Sequence, residues 1–263
     1  MTRIAVLVKD IPDLNEVRID PSTRRPQAEA AKRRLNDLDK RALEAAIRMK
    51  ETGGAEVITV SLGDGRTKTS VLEALAMGAD AAYILSDPVF KGLDANATSR
   101  VLGSAIGKVG AVDVIVAGEL ALDGMGSQVG PRVAELLGVP QVTYVKELRL
   151  EAGKYRAVRD LEDVDEVVEV EPPFLVTVVR EVNEPRIPSL INIMKAKKKP
   201  ITEWNAEALG LKTEELKASS RVEVADVQVP EVKRKRIMIK EEKVGDAVAK
   251  LVSALSAEGA LEG

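Results

Sequence analysis

The sequence contains no histidine and no cysteine. That excludes a Ser-His-Asp triad, a thiol nucleophile, a Cys/His zinc site and thiolate ligation of an iron–sulfur cluster. A disulfide-stapled scaffold is excluded with them. Aromatic residues are scarce, with one Trp, three Tyr and two Phe among 263 residues. No sign of charge dominates either: 39 basic against 42 acidic residues give a formal net charge of −3. A dedicated nucleic-acid binder is usually basic as a domain, so none is expected here. No run approaches the ~20 apolar residues of a membrane span, and the N-terminus enters a strand-like run with no leader pattern. The expectation is a cytoplasmic protein with no catalytic side chains or metal ligands of its own. Any redox chemistry would reside on a bound cofactor.

What is present is an alternation of strand and helix signals. Ile4 to Val8 is an apolar run of buried-strand length, followed by Lys9-Asp10-Ile11-Pro12-Asp13. Asn36, Asp37 and Asp39 offer N-caps to a helix carrying Ala42, Leu43, Ala46, Ile47 and Met49, which Gly53-Gly54 stops. Strands follow at Val57 to Val60, Ala82 to Leu85, Val114 to Ala117 and Val142 to Val145. Helices lie between them around Val71 to Leu75, over Ala95 to Lys108, and from Pro131, as first helical residue, to Leu137. Continuous apolar strands alternating with helices predict an α/β fold. It should be an open, mostly parallel sheet with helices on both faces, a Rossmann-like adenine nucleotide-binding architecture.

From Glu147 the pattern changes to hairpins. Glu147 to Leu150 and Tyr155 to Val158 flank the turn signal Ala152-Gly153, and Pro172-Pro173 separates strands at Val164 to Val170 and Phe174 to Val179. Beyond Pro200 the chain reads as a polar, extended arm ending in a helix with Val244, Ala247, Val248, Leu251, Val252 and Leu255 on one stripe. The expected division is therefore residues 1–200 as the α/β domain and 201–263 as a docking arm.

The most informative segment runs from Ala117 to Pro131, where a strand leads through a glycine-rich loop into a helix. Gly124, Gly126 and Gly130 permit positive φ and close backbone approach, and free N–H groups at a helix start favour a phosphate. Ser127 and Gln128 offer further donors. The spacing matches neither a Walker loop nor the dinucleotide fingerprint, so a loop that needs glycine only for its turns is an equal reading. Leu7-Val8-Lys9 and Ser61-Leu62 should end neighbouring strands at the same edge. There, backbone groups could meet an adenine ring, and Lys9 could meet a phosphate. Asn36 and Asp39 suit a base or ribose as well as they suit helix capping. A second segment, residues 183–199, sets Leu190, Ile191, Ile193 and Met194 beside Lys195, Lys197, Lys198 and Lys199. An apolar knob with a basic rim is a protein-docking arrangement, and a helix with a solvated basic face is the alternative. The lack of interleaved aromatics argues against RNA.

At these segments the sequence resembles the β subunit of electron transfer flavoproteins over essentially its whole length. The resemblance rests on Lys9 to Asp13, Asn36, Ala76-Met77-Gly78-Ala79-Asp80 and the Asp123 to Pro131 loop. Most specific is Asn183-Glu184-Pro185-Arg186 running into Asn192 to Lys199. The resemblance implies a heterodimer with a flavin-carrying α subunit. It places nucleotide contacts at Leu7, Val8, Lys9, Asn36, Asp39, Ser61 and Leu62, and along Gly118 to Val129, with Asp123, Gly124, Met125, Gly126, Ser127 and Gln128 among them. It places a partner-recognition loop around Leu190 and Ile191, flanked by Met194, Lys195 and Lys198. The partner so implied is an acyl-CoA dehydrogenase-like or quinone-reducing flavoprotein, or a ferredoxin. Gln128-Val129-Gly130-Pro131 and Pro140-Gln141-Val142-Thr143-Tyr144 look like the electron-bifurcating type, which implies FAD in the β site with NADH as donor. Met125 and Gly126 replace that type's second acid and Thr, and Asp37-Leu38 replace its Pro-aromatic pair. The alternatives are AMP as a structural ligand or, outside the family, an adenine-nucleotide-binding sensor or hydrolase.

Overall fold

The computed structural model describes residues 2–151, 154–231 and 234–261. The Ala152-Gly153 turn lies outside the described residues. Nine strands form the main sheet: β1 (Arg3–Leu7), β2 (Glu56–Leu62), β3 (Ala81–Leu85), β4 (Val114–Gly118), β5 (Gln141–Glu151), β6 (Lys154–Leu161), β7 (Val164–Val170), β8 (Phe174–Val178) and β9 (Ile201–Trp204). Their order across the sheet is β7-β6-β5-β8-β4-β1-β2-β3-β9. From β9 to β5 every neighbouring pair is parallel, and β5-β6-β7 continue antiparallel. The chain proceeds from β1 to β2 and β3 on one side, then returns to place β4 on the other. The sheet's switch point is therefore between β1 and β4, where open α/β sheets bind ligands beyond their carboxyl ends.

Helices cover both faces, as the doubly apolar strands require. Helices α1 (Asp37–Gly53) and α2 (Lys68–Met77) bury Leu43, Ile47, Val71 and Leu75 against Ile4, Val6 and Val57. On the opposite face α3 (Ala95–Val109) and α4 (Val129–Leu137) bury Val101, Leu102, Val133 and Ala134 against Ala5, Ile58, Ile115 and Leu175. Gly54 ends α1 with φ 70°, the left-handed stop its glycine pair predicts.

Three expectations are corrected. Helix α4 starts two residues before Pro131. The proline still lies in the first turn, where its missing N–H has no intrahelical partner to lose. The strands expected at Val142 to Val145 and Glu147 to Leu150 are one strand, β5. Its first half pairs parallel with β8 and its second antiparallel with β6, through register shifts that bend it from one partner to the other. Finally, the body does not end at Pro200. Strand β9 extends the sheet, and α6 (Thr213–Ser219) buries Leu216 in the α3 side of the core, so the first compact unit runs to Val227.

The second unit, from Gln228, holds α7 (Val244–Ala257), none of whose residues is buried. Its predicted stripe, Val244, Val248, Leu251, Val252 and Leu255, faces outward. Val222, Val224, Val227 and Val229 are exposed and belong to no strand. No helix among the described residues is long and apolar enough to cross a membrane.

Candidate functional site

The first turn of α1 sits over the switch point and holds both strand ends. Asp39 Oδ2 accepts from the Lys9 main-chain N–H at 2.7 Å, and Oδ1 accepts from that of Gly118 at 3.2 Å. Asn36 Nδ2 donates to Leu120 O at 2.9 Å, and its Oδ1 accepts from Leu122 N at 3.2 Å. Asn36 occupies the N-cap position of α1 yet makes no side-chain cap. Both polar side chains are spent on the main chain of the β1 and β4 ends rather than on the helix. Burial pushes the Asp39 carboxyl up to about 7, against the pull of its hydrogen bonds with Lys9, Asn36 and Gly118. Gly118 is required for this approach. A Cβ there would lie 2.5 Å from Asp39 Oδ1 and 2.9 Å from the Leu38 carbonyl carbon.

Beyond Gly118 the loop turns through Ala121, whose carbonyl accepts from Gly124 and Met125. Asp123 is drawn to Lys9, Nζ to Oδ1 being 2.8 Å. Ser127 donates its hydroxyl to the Glu119 carboxylate, a neighbour that sequence inspection passes over. The positive φ values expected of Gly124, Gly126 and Gly130 fall instead on Met125 (48°) and Ser127 (49°). Gly124 and Gly126 have nothing within 4 Å of where a Cβ would stand, so they leave room rather than supply a turn. Gly130 serves close packing: its Cβ would come 2.7 Å from Thr177 Cγ2.

The main-chain N–H groups of Gly126, Ser127, Gln128, Val129 and Gly130 find no acceptor among the described residues. No side chain caps α4, because Gln128 Oε1 instead accepts from Arg132 at 3.1 Å. Successive free N–H groups, a left-handed residue followed by a right-handed one, and a helix start together make an anion cradle. On the other side of β1, the Ser61 hydroxyl is buried without a partner, as is that of Thr59. Leu7, Val8 and Leu62 line up at the same carboxyl edge, with Val8 N bonded to Val60 O. The residues present thus fit a phosphorylated ligand: free donors and space at two glycines, with an unused buried hydroxyl on β2 across β1. Among the described residues no cluster of His, Cys, Asp and Glu could hold a metal.

The docking segment lies elsewhere. Helix α5 (Leu190–Ala196) is capped by Ser189, whose hydroxyl accepts from Asn192 N at 3.2 Å. Only Ala196 is buried, while Leu190 (80% exposed), Ile191, Ile193, Met194, Lys195 and Lys198 face outward. Lys199 turns inward and caps the end of α2 through Leu75 O (2.9 Å) and Ala79 O (2.5 Å); burial lowers its pKa. The preceding motif clamps onto α1. The Arg41 guanidinium donates to the Asn183 carbonyl, and Arg186 forks onto Glu44 (2.7 Å) and Glu51 (2.5 Å). Burial alone would raise the Glu44 carboxyl, but Arg186 and Arg48 hold it below its usual value.

Known proteins resemble this chain over most of its length. Residues 27–209 match the electron transfer flavoprotein domain. The chain is 46% identical over 213 residues to the caffeyl-CoA reductase–Etf complex subunit CarD of Acetobacterium woodii, covering 81% of each chain. It is 44% identical to the electron transfer flavoprotein subunit beta of Thermoanaerobacterium thermosaccharolyticum, over 81% of this chain and 82% of that one. It is 39% identical to the subunit of the same name from Clostridium acetobutylicum, over 97% and 98%.

Proposed function

This chain belongs to the electron transfer flavoprotein β-subunit family, and from that premise we propose that it binds FAD in the switch-point cleft as half of a heterodimer with an α subunit. The five unpartnered N–H groups of Gly126 to Gly130 carry this reading, since they offer a pyrophosphate an unfilled set of donors. The strand ends at Leu7 to Lys9 and Ser61-Leu62 would hold the adenosine. The Ser61 hydroxyl, like that of Thr59, is buried without a partner among the described residues. A bound FAD would supply two-electron redox chemistry there, with NADH as donor and the α-subunit flavin as acceptor.

The protein's own part is placement and electrostatics. Asp39 and Asn36 fix the two lips of the cleft. Lys9 neutralises Asp123 and so removes one carboxylate charge from beside the cradle. Glu119 holds the Ser127 hydroxyl. The exposed face of α5, with Leu190 as anchor and Lys195 and Lys198 on its rim, is the docking surface for the acceptor, an acyl-CoA dehydrogenase-like or quinone-reducing flavoprotein or a ferredoxin. The relative from Acetobacterium woodii is named as a subunit of a caffeyl-CoA reductase–Etf complex, which supports a reductase of a CoA thioester as one kind of partner. Denaturing the purified heterodimer and counting released nucleotides tests the reading. Two FAD per dimer are expected; one FAD and one AMP would reduce the β site to a structural role.

A further inference from the structure

One of the six aromatic rings is placed unlike the others. Tyr83 packs on Trp204 with centroids 4.7 Å apart, Tyr155 packs on Phe174 at 5.0 Å, and Phe90 is buried. Tyr144 is 41% exposed. Its φ is 58°, a left-handed conformation that bulky L residues rarely take. It lies in the bulge of β5. Val142 pairs with Val176 and Val145 with Val178, so β5 fits two residues where β8 has one. The bulge is held from both sides. Tyr144 N donates to Thr177 Oγ1 at 3.3 Å, and Arg159 donates from Nε to Thr143 O at 2.9 Å and from Nη2 to Thr143 Oγ1 at 3.1 Å. Arg159 is itself fixed by Glu166 at 2.5 Å. A strained residue that its surroundings over-determine is characteristic of a functional position, and bulges re-aim side chains beside such sites.

The bulge is also physically joined to the anion cradle. Thr177, which holds Tyr144, is the residue against which Gly130 packs at the start of α4. Along the carboxyl edge, the β1 end, the cradle after β4, and Tyr144 beyond β8 follow in that order. We propose that Tyr144 is the platform for the second ring of a dinucleotide whose phosphates occupy the cradle, and so distinguishes a dinucleotide from a mononucleotide. This rests on the nucleotide-site reading above. AMP has no second ring to place there, whereas the flavin end of FAD does, and an exposed phenol ring offers a face for offset stacking.

The test uses the heterodimer after removal of its exchangeable nucleotide, titrated separately with FAD and with AMP by calorimetry. Tyr144→Gly removes the ring and accepts the left-handed backbone without strain, so the fold is retained. Tyr144→Phe keeps the ring. The expected result is FAD binding about ten-fold weaker in Tyr144→Gly, restored in Tyr144→Phe, with AMP affinity unchanged in both. The nucleotide-free Tyr144→Gly heterodimer should melt no lower than the wild type. Equal loss of FAD and AMP, loss in Tyr144→Phe, or dissociation of the heterodimer with FAD affinity intact would each overturn the platform. If the wild type takes AMP but no FAD at this site, the FAD reading falls together with the proposal. If it takes FAD and Tyr144→Gly takes it equally well, only the proposal falls.

Discussion

Replacing Gly118 by Ala should damage the switch point from within. The added methyl would stand 2.5 Å from Asp39 Oδ1, 2.8 Å from Leu38 Cβ and 2.9 Å from the Leu38 carbonyl carbon. All three atoms belong to the packed start of α1, so the helix must move or β4 must bend. Overpacking of this kind costs about 1–3 kcal/mol. The movement also stretches the Gly118 N–H bond to the buried Asp39 carboxyl, and an unmade bond there costs about 1–3 kcal/mol more. Because one movement produces both losses, the total is taken as roughly 2–4 kcal/mol. For a unit of this size that is a fall of about 5–12 °C in Tm. The control is Gly126→Ala, whose methyl meets nothing within 4 Å and whose φ is outside the left-handed region. It should change Tm by less than about 2 °C while weakening nucleotide binding, because the methyl enters the space beside the free N–H groups. Calorimetric melting of both variants as heterodimers measures the contrast. A Gly118→Ala protein that melts with the wild type would refute the clamp between α1 and the two strand ends.

Three further outcomes follow from the same contacts. The Asp39 carboxyl titrates near 7 in the fold and near 3.8 when exposed, so the folded state favours its proton. Stability from this group is full below about pH 4, falls as pH rises, and is lost above 7, a swing on the order of 4 kcal/mol. Asp39→Asn should abolish that slope; urea unfolding from pH 5 to 8 with parallel wild-type and variant curves would contradict it. Arg186→Met should destabilise by about 2–3 kcal/mol, because Glu44 would keep only Arg48, and Arg186→Lys should not recover it, since a single ammonium cannot fork onto two carboxylates. Denaturant midpoints decide both. Leu190→Ala should leave stability within about 0.5 kcal/mol and slow electron delivery to the partner flavoprotein. Unchanged stopped-flow transfer would remove α5 as the docking surface.

The parallel core was legible because its strands are apolar on both faces, and such runs have few other uses. Boundaries that depend on bulges were not. Nothing in Val142 to Leu150 signals that one strand serves two partners, since the bend resides in backbone torsions at Tyr144 rather than in residue type. Strand β9 carries little sequence pattern, because it is four residues containing Glu203 at a sheet edge. In the candidate site, the glycine-rich loop pointed to left-handed torsions at its glycines, but these belong to Met125 and Ser127. The roles of Asn36 and Asp39 were not decidable from a cap-like pattern, because their partners lie some 80 residues away around the β4 end. The Arg186 pairing with Glu44 spans 142 positions and leaves no local trace.

Helix α1 links the switch point to the exposed segment around α5. Its first turn grips the cleft through Asn36 and Asp39. Its later turns carry Arg41, Glu44, Arg48 and Glu51, to which residues 183–186 are fastened immediately before α5. Seventeen residues of helix form a strut about 25 Å long. The proposed nucleotide site and the proposed docking helix would therefore share a single stiff beam.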